Sequence, residues 1–265
     1  MQDSQMFALI TGASSGIGAC FARALAARGY SLVLVARSAD KLTALQAEIT
    51  SKFPVRIETV VQDLSAVGAA QQLVTTLQQR GLEIDLLVNN AGFGAQGEFW
   101  TLPLERQSEM LRLNVVTLTE LSHLLLPAMI ERRRGGIINT SSTASFQAMP
   151  YTAVYGATKA FVTNFSMGLA EEAARYGVKV MALCPGGTAT NFFDAGAFTT
   201  RNFPGGLESA ETVVEVGLRA FERGDSLAVT RLINRLMLLV ERLAPRRFVV
   251  RQAGNMFRPK NLSAL

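Results

Sequence analysis

Residues 7–18 read FALITGASSGIG, an apolar run followed by a glycine-rich turn. The run from Phe7 to Ile10 predicts a short buried strand, and the apolar spacing of residues 16–29 predicts a helix that stops at Gly29. In a strand–turn–helix unit, three glycines permit a tight turn, close approach to a pyrophosphate and close helix–strand packing. An ordinary glycine-rich turn is the plainer interpretation, but its position between strand and helix favours a dinucleotide site.

The alternation of strand and helix continues along the chain. Further apolar runs predict strands at 31–36, 55–61, 84–88, 136–140 and 178–183. Amphipathic stretches predict helices at 39–52, 66–80, 104–134 and 152–176. Strands that are apolar throughout are typical of a sheet covered by helices on both faces. We therefore predict a single-domain α/β fold with a doubly wound parallel sheet, the Rossmann fold, and a mobile loop at 187–208.

Composition excludes several classes of protein. The chain has 265 residues, of which 49% are apolar and 18% charged, so general disorder is excluded. It has no run of 18 apolar residues, so no spanning helix is expected, and its first residues do not read as a signal peptide. Two cysteines and one histidine predict neither a disulfide framework nor a metal site, and a reducing cytoplasm is the expected location.

Positive charge is concentrated at the C-terminal end. Lys and Arg number 26 against 21 Asp and Glu, a net charge of +5. Residues 231–265 hold eight bases and one acid, which is +7, so residues 1–230 sum to −2. The charge therefore does not imply that the fold binds nucleic acid. We predict an α/β domain at 1–230 and a basic amphipathic extension at 231–265, packed on the same domain.

Two polar residues on one predicted helix suggest proton chemistry. Tyr155 and Lys159 are four residues apart and so share a helix face. A tyrosine hydroxyl ordinarily has a pKa of about 10, and a nearby ammonium group is expected to lower it. Ser142, just beyond a predicted strand, carries a hydroxyl suited to hold a substrate oxygen. The pair alone is more typical of a solvated helix face, but Ser142 and the glycine turn favour chemistry.

Five motifs, in order, resemble those of the short-chain dehydrogenase/reductase family. Residues 11–18 match its Thr-Gly-x-x-x-Gly-x-Gly cofactor loop, and residues 89–92 read Asn-Asn-Ala-Gly. Residues 155–159 match Tyr-x-x-x-Lys, thirteen residues after Ser142, and residues 185–186 read Pro-Gly. Their order and strand context make the resemblance specific.

The resemblance covers about residues 6–230 and implies a role for each reactive side chain. Tyr155 would be the acid in carbonyl reduction and the base in alcohol oxidation. Ser142 would hydrogen-bond the substrate oxygen, and Lys159 would bind the nicotinamide ribose. Asn114 matches the family's asparagine that holds a water molecule in the proton relay. Ser141 neighbours Ser142 but has the wrong spacing to the tyrosine.

The resemblance also implies which residues bind the cofactor. The implied set is Gly12, Ser14, Ser15, Gly16, Ile17, Gly18, Arg37, Asp63, Leu64, Asn90, Ala91, Gly92, Tyr155, Lys159, Pro185, Gly186, Thr188 and Thr190. Asp63 would contact the adenine amino group, although a helix N-terminus or cap is the alternative. Thr190 would help orient the carboxamide, and Thr188 departs from the family pattern, which has an aliphatic residue there.

The end of the second strand indicates the choice of cofactor. NAD enzymes of this topology usually have an acid there for the ribose 2′-hydroxyl. Residues 35–38 contain no acid, and the first acid after this strand is Asp40. Arg37 is suited to pair with a 2′-phosphate, although a surface arginine at a helix entry is the alternative. The sequence therefore predicts NADP(H).

Aromatic residues and the extension bear on the substrate. Phe192, Phe193 and Phe198 resemble the family's substrate lid and suit a hydrophobic substrate, with core packing as the alternative. Trp100 would line the pocket or anchor its loop, and His123 reads as a packed or interface residue. The extension would pack over the pocket or a partner, make peripheral contact with an anionic membrane, or, least favoured, bind nucleic acid.

The resemblance as a whole implies an NADP(H)-dependent oxidoreductase. It would transfer a hydride between the cofactor and a small-molecule carbonyl compound or secondary alcohol. Two alternatives are an NAD-dependent alcohol dehydrogenase and a dinucleotide-sensing regulatory protein without catalysis. Family members commonly assemble through the two long helices, here 104–134 and 152–176, so a homodimer or homotetramer is implied. No nucleic acid is expected as a partner.

Overall fold

The computed structural model describes residues 6–196, 198 and 206–259. Within these residues, the strands are β1 (Phe7–Thr11), β2 (Ser31–Ala36), β3 (Ile57–Val61), β4 (Ile84–Asn89), β5 (Gly136–Thr140), β6 (Lys179–Cys184) and β7 (Leu227–Val229). They form one sheet in the order β3-β2-β1-β4-β5-β6-β7, and every neighbouring pair is parallel. The order reverses beside β1, which is the usual place for a ligand crevice in such sheets.

Helices cover both faces of the sheet. They are α1 (Gly16–Ala26), α2 (Ala39–Thr50), α3 (Ala69–Gln79), α4 (Leu104–Leu111), α5 (Leu118–Glu131), α6 (Ala153–Ala174), α7 (Phe192–Ala195), α8 (Ala210–Arg223), α9 (Leu232–Leu243) and α10 (Arg246–Phe257). The predicted doubly wound α/β fold is confirmed. Among the boundary differences, α3 begins three residues later than predicted because the chain turns at Gly68, where φ is +74°.

Alternation along the strands divides the core into two layers. Successive side chains of a strand point to opposite faces, so Ile10 packs in the layer with α1 and α2, and Leu9 packs in the layer with α3 and α5. Phe21 of α1 is fully buried in the first layer, and Leu73 of α3 in the second. This two-sided burial explains why most residues of the strands are apolar.

The helix predicted at 104–134 is continuous but not uniform. Between α4 and α5, residues Arg112–Thr117 form a π-helical segment, and the helix ends at Glu131. The stretch Leu104–Glu131 is long and apolar enough to cross a membrane, although core helices of soluble proteins pass the same test. Here α5 contacts β4, β5 and α3, and Leu121 and Met129 are buried among them.

The C-terminal residues form two helices that contact the rest of the fold. Leu238 of α9 packs on Cys184 and Val229 at the end of the sheet. Phe257 of α10 packs in a cluster with Met149, and its carbonyl oxygen accepts a hydrogen bond of 2.7 Å from Gln96 Nε2. The division of the chain at residue 230 stays a prediction.

The predicted loop at 187–208 is only partly described. Its described residues include α7 and a single β-bridge between Thr188 and Glu208. Residues 197 and 199–205, including Pro204 and Gly205, lie outside the described residues.

Candidate active site

The glycine turn after β1 has the conformation that its sequence predicts. Gly12 and Gly16 have φ values of +66° and +54°, which favour glycine. A Cβ atom on Gly18 would lie 2.2 Å from the carbonyl oxygen of Gly12, so only glycine allows α1 to approach the turn. Ser15 is the N-cap residue of α1, and its side chain makes no capping hydrogen bond. Together with Ser14 and Ile17, this turn forms one wall of a cleft.

Hydrogen bonds join the glycine turn to the residues after β4. Thr11 Oγ1 accepts hydrogen bonds from the backbone N–H groups of Asn90 and Ala91, at 2.9 and 3.0 Å. Asn90 Nδ2 donates to the carbonyl oxygen of Thr11 at 3.0 Å. A Cβ atom on Gly12 would lie 2.9 Å from Ala91 Cα, so these two turns are in close contact. The Asn-Asn-Ala-Gly segment at 89–92 therefore holds the glycine turn in place through these hydrogen bonds.

Asn114 lies in the π-helical segment and is almost fully buried. Its Oδ1 accepts from the N–H of Phe93 at 3.2 Å, and its Nδ2 donates to the Phe93 carbonyl at 3.0 Å and to Thr158 Oγ1 at 3.2 Å. Gly92 lies against it, because a Cβ atom there would be 2.9 Å from Asn114 Oδ1. The side chain thus links the end of β4 to α6, and π-helical turns are frequent at functional sites.

Ser142 and Tyr155 meet at the end of β5. Ser142 is the N-cap of a short 3₁₀ turn, Thr143–Phe146, and its Oγ accepts from the Ala144 N–H at 3.1 Å. Burial raises the pKa of Tyr155 to about 12, while its hydrogen bond with Ser142 acts in the opposite direction. Tyr155 is therefore a protonated phenol at neutral pH.

Lys159 does not have the effect on Tyr155 that the sequence predicts. Its Nζ donates to the carbonyl oxygen of Thr140 at 2.7 Å and lies 5.8 Å from the centre of the Tyr155 ring. Burial lowers the pKa of Lys159 to about 8. The expected lowering of the tyrosine pKa by Lys159 is thus wrong for the chain without cofactor, because burial raises that pKa and Lys159 is not among the groups that lower it.

Two cations lie at the end of β2. Arg37 is exposed and lines the cleft, and so does Lys41, one turn into α2. Asp63 faces the same region, and its pKa is lowered by hydrogen bonds from the hydroxyl and N–H of Ser65, and by Arg37. Asp63 therefore closes a turn and does not cap α3, whose N-cap is Gly68.

The remaining predicted cofactor residues follow β3 and β6. The carbonyl oxygen of Leu64 accepts from Thr117 Oγ1 at 2.7 Å, and that of Pro185 accepts from the Thr143 N–H at 2.9 Å. Gly186 lies against α9, since a Cβ atom there would be 2.6 Å from Asn234 Nδ2.

The two predicted threonines lie just beyond this proline–glycine turn. Thr188 Oγ1 donates to the Gly186 carbonyl oxygen, a hydrogen bond that an aliphatic residue at this position could not make. Thr190 Oγ1 accepts from the Phe192 N–H, and its methyl group would touch a Cβ atom placed on Gly16.

Aromatic side chains close one side of the cleft above the tyrosine. The Phe192 ring centre lies 5.4 Å from that of Tyr155 and 5.8 Å from that of Phe198. Phe193 packs against both other phenylalanines and is buried. These rings therefore both line the cleft and pack on one another.

The structure also places three other residues that the sequence singled out. Trp100 is 78% exposed and does not line the cleft. His123 is exposed on α5, so it is not a packed residue of this chain. Ser141 Oγ donates to the Lys159 carbonyl oxygen at 2.9 Å, so it supports α6 and does not line up with Tyr155.

These elements enclose one cleft of about 680 Å³. All of the predicted catalytic and cofactor residues line it except Gly18 and Asn114, which support its wall from behind. The sequence analysis missed Lys41, Gln147 and Glu241 as lining residues. Lys41 follows Arg37 by four residues at a helix entry, a spacing that would have identified it.

The family match agrees with this geometry. Residues 6–197 match the family model described as short chain dehydrogenase, which is more than half of the chain. The chain belongs to the short-chain dehydrogenase/reductase family.

Several known proteins are similar to this chain over two thirds of its length or more. Human (Homo sapiens) very-long-chain 3-oxoacyl-CoA reductase is 36% identical over 188 residues, which is 69% of this chain and 60% of that protein. A short-chain dehydrogenase from Sphingobium yanoikuyae in complex with NADPH is 30% identical, with a TM-score of 0.81 and 98% of both chains covered. A bulky-bulky ketone specific alcohol dehydrogenase from Comamonas testosteroni is 29% identical, with a TM-score of 0.78 and coverage of 98% and 97%. The chain spans less than two thirds of the length of the curated relatives.

Proposed function

We propose that this protein is an oxidoreductase that transfers a hydride between NADP(H) and a hydrophobic carbonyl compound or secondary alcohol. The observation that carries the proposal is that Ser142 and Tyr155 line the same cleft as the glycine turn. A protonated phenol beside a second hydroxyl is the arrangement needed to bind and protonate a carbonyl oxygen.

The residues of the cleft fit a dinucleotide. Gly12 and Gly16 line the cleft without side chains, and the first turn of α1 has no side-chain cap, so its backbone N–H groups suit a pyrophosphate. Arg37 and Lys41 supply two positive charges for a 2′-phosphate, and no acid follows β2 directly. The Sphingobium yanoikuyae neighbour in complex with NADPH supports the choice of NADP(H) over NAD(H).

The chain's own residues supply the proton chemistry. When bound, the nicotinamide gives a hydride to the carbonyl carbon in reduction, or takes it in oxidation. Ser142 Oγ already accepts from the Ala144 N–H, so its proton is available to the substrate oxygen. Ser142 only hydrogen-bonds that oxygen, and Tyr155, a protonated phenol at neutral pH, would transfer to it the single proton that reduction requires. Lys159 holds the ribose, and Asn114 positions a water molecule that returns the proton.

The substrate end of the cleft is mostly apolar. Phe192 and Phe198 cover one side, and Met237, Leu238 and Met256 of the C-terminal helices cover another. An apolar enclosure of this kind favours a hydrophobic ketone or alcohol. The names of the human and Comamonas testosteroni relatives, a very-long-chain acyl reductase and a bulky ketone dehydrogenase, support the same class of substrate.

The first experiment combines binding with turnover. Thermal shifts with NADPH, NADP⁺, NADH and NAD⁺ report cofactor preference, because a ligand of the native state raises stability. A ketone panel with the preferred cofactor then reports reduction. Tyr155→Phe is expected to abolish turnover and to keep the thermal shift. Equal turnover by this variant would refute the assigned acid, and binding without any turnover would favour the regulatory protein.

We also propose that α9 and α10 make peripheral contact with anionic membranes. The outer face of α9 exposes large apolar side chains: Leu232, Leu236, Leu239 and Leu243. Arg246, Arg247 and Arg251 are exposed on the adjoining α10 and complement acidic lipid headgroups. Sedimentation with phosphatidylglycerol vesicles should remove the protein from solution at low salt. Leu236→Glu should reduce this, whereas Val67→Glu, at an exposed apolar residue elsewhere, should not.

Assembly into a homo-oligomer and a cytoplasmic location remain parts of the same proposal. The outer surfaces of the two long helical stretches expose apolar side chains, at Leu111, Val116, Phe161 and Met167. These surfaces suit the pairing of helices between copies that is common in the family.

A further inference from the structure

Glu241 is the single acid in a strongly basic extension, and it faces the cleft. Residues 231–265 contain eight bases and this one acid. Asn234, Met237, Leu238 and Glu241 recur at helical spacing and line the cleft, while the opposite face of α9 carries exposed leucines. The helix therefore directs its carboxylate into the cleft beside Met237 and Leu238, while leucines are also exposed on its opposite face.

The carboxylate meets a side chain from the catalytic turn. With its amide nitrogen directed towards α9, Gln147 donates to both oxygens of Glu241, at 2.6 and 2.9 Å. Gln147 immediately follows the 3₁₀ turn Thr143–Phe146, which Ser142 caps and which contacts α9. The pair thus lies on the same short segment of chain as the serine that is assigned to the substrate oxygen.

No cation neutralises this carboxylate among the described residues. It forms no ion pair there, and burial raises the pKa of Glu241. A half-buried carboxylate paired only with a neutral amide costs free energy that a glutamine in its place would avoid. Such a cost is typical of a charged group whose hydrogen bonds are completed only when a ligand binds.

We propose that Glu241 and Gln147 form a polar subsite that binds a hydroxyl or ammonium group of the substrate, remote from the reacting carbonyl. A carboxylate accepts hydrogen bonds and does not donate them, so the bound group must be a donor. Carboxylate or phosphate groups are repelled there. The apolar surroundings, with Met237, Phe248 and Met256, require the rest of the molecule to be hydrophobic. This inference rests on the proposed function and narrows its substrate class to hydrophobic ketones that carry a second, hydrogen-donating group.

The test uses a matched series of 2-alkanones of six to twelve carbons. Each chain length ends in a methyl, hydroxyl, ammonium or carboxylate group, and kcat/KM is measured with NADPH. The hydroxyl and ammonium members are expected to exceed the carboxylate members by about tenfold or more, as one charge-assisted hydrogen bond provides. Glu241→Gln should lower the preference for ammonium, and Glu241→Lys should reverse it towards carboxylate. The control Glu131→Gln, at the exposed end of α5, should change nothing.

A purely structural role gives a different result. If the pair only holds α9 against the turn, each variant changes kcat/KM of all members by the same factor, which would overturn the inference. The NADPH thermal shift of each variant shows that it folds. Calorimetric titration of the series into NADPH-loaded Tyr155→Phe measures the preference without turnover. Failure of the wild-type protein to reduce any ketone therefore counts against the proposed function alone, whereas equal affinities count against the subsite.

Discussion

At the residue scale, Lys159 combines a structural cost with a proposed role in binding the cofactor. Burial lowers its pKa to about 8, while an unfolded chain would bind the proton up to its ordinary pKa of about 10.5. The unfolded state therefore binds more protons between these values, and the free energy of unfolding contributed by this group rises with pH across that window. Below pH 8, the protonated buried amine is a penalty on the folded state.

We expect Lys159→Met to stabilise the cofactor-free protein at pH 7 by about 1–3 kcal/mol, because the desolvation penalty is removed. The same variant should lose most of the thermal shift with NADPH. Urea unfolding at pH 7 and pH 9.5 measures the first effect, and the gain should be smaller at the higher pH. A destabilised variant at pH 7 would show that the hydrogen bond to the Thr140 carbonyl outweighs the burial cost.

Also at the residue scale, the cations after β2 set the expected cofactor preference. Removing either Arg37 or Lys41 should weaken NADPH binding by about 10–100-fold, the value of one charge-assisted hydrogen bond to a phosphate. NADH binding should hardly change. Isothermal titration with both cofactors measures the ratio of the NADPH and NADH affinities. Arg56→Ala, at an exposed arginine directly before β3, is the control. Equal losses for the two cofactors would place the 2′-phosphate elsewhere.

At the element scale, two glycines in helices have opposite environments. A Cβ atom on Gly18 of α1 would lie 2.2 Å from the Gly12 carbonyl oxygen, whereas one on Gly168 of α6 meets nothing within 4 Å. Gly168→Ala should stabilise the protein by up to about 1 kcal/mol, through helix propensity alone.

Gly18→Ala should instead destabilise by about 1–3 kcal/mol, as overpacking does, and should reduce cofactor binding because α1 is displaced from the turn. Thermal unfolding with and without NADPH separates the two effects. A stabilised Gly18→Ala with normal cofactor binding would contradict the role of close helix–turn packing.

At the scale of the whole molecule, the exposed apolar residues of α6 predict an assembly. Phe161 and Phe165 stack with ring centres 5.7 Å apart, and Phe161 and Met167 are substantially exposed. Phe161→Glu should shift the protein towards a smaller species in light scattering coupled to size exclusion, because it places charge in an apolar interface. Val67→Glu should leave the mass unchanged. A monomeric wild-type protein would refute this assembly.

The sequence predicted most of the molecule where the relevant residues lie close together in the chain. Clearly apolar strands precede the glycine turn, Arg37 and the helix with Tyr155 and Lys159. Because the fold could be predicted from these strands, so could the proximity of the residues at one edge of the sheet. Glu241 was not predicted, because the face that α9 turns to the cleft depends on packing between distant elements. The pKa of Tyr155 was predicted in the wrong direction, since burial is a property of the folded surroundings and not of helical spacing.

The π-helical segment Arg112–Thr117 has a consequence for insertions and deletions in this part of the chain. A π turn holds one more residue than an α turn, so the segment is equivalent to a single-residue insertion into an otherwise regular helix. Deleting Val115 should therefore restore α-helical register, leave both flanking helices intact and rotate Asn114 away from Phe93. The shortened chain would lose the three hydrogen bonds that Asn114 makes with Phe93 and Thr158, and with them the link between the end of β4 and α6.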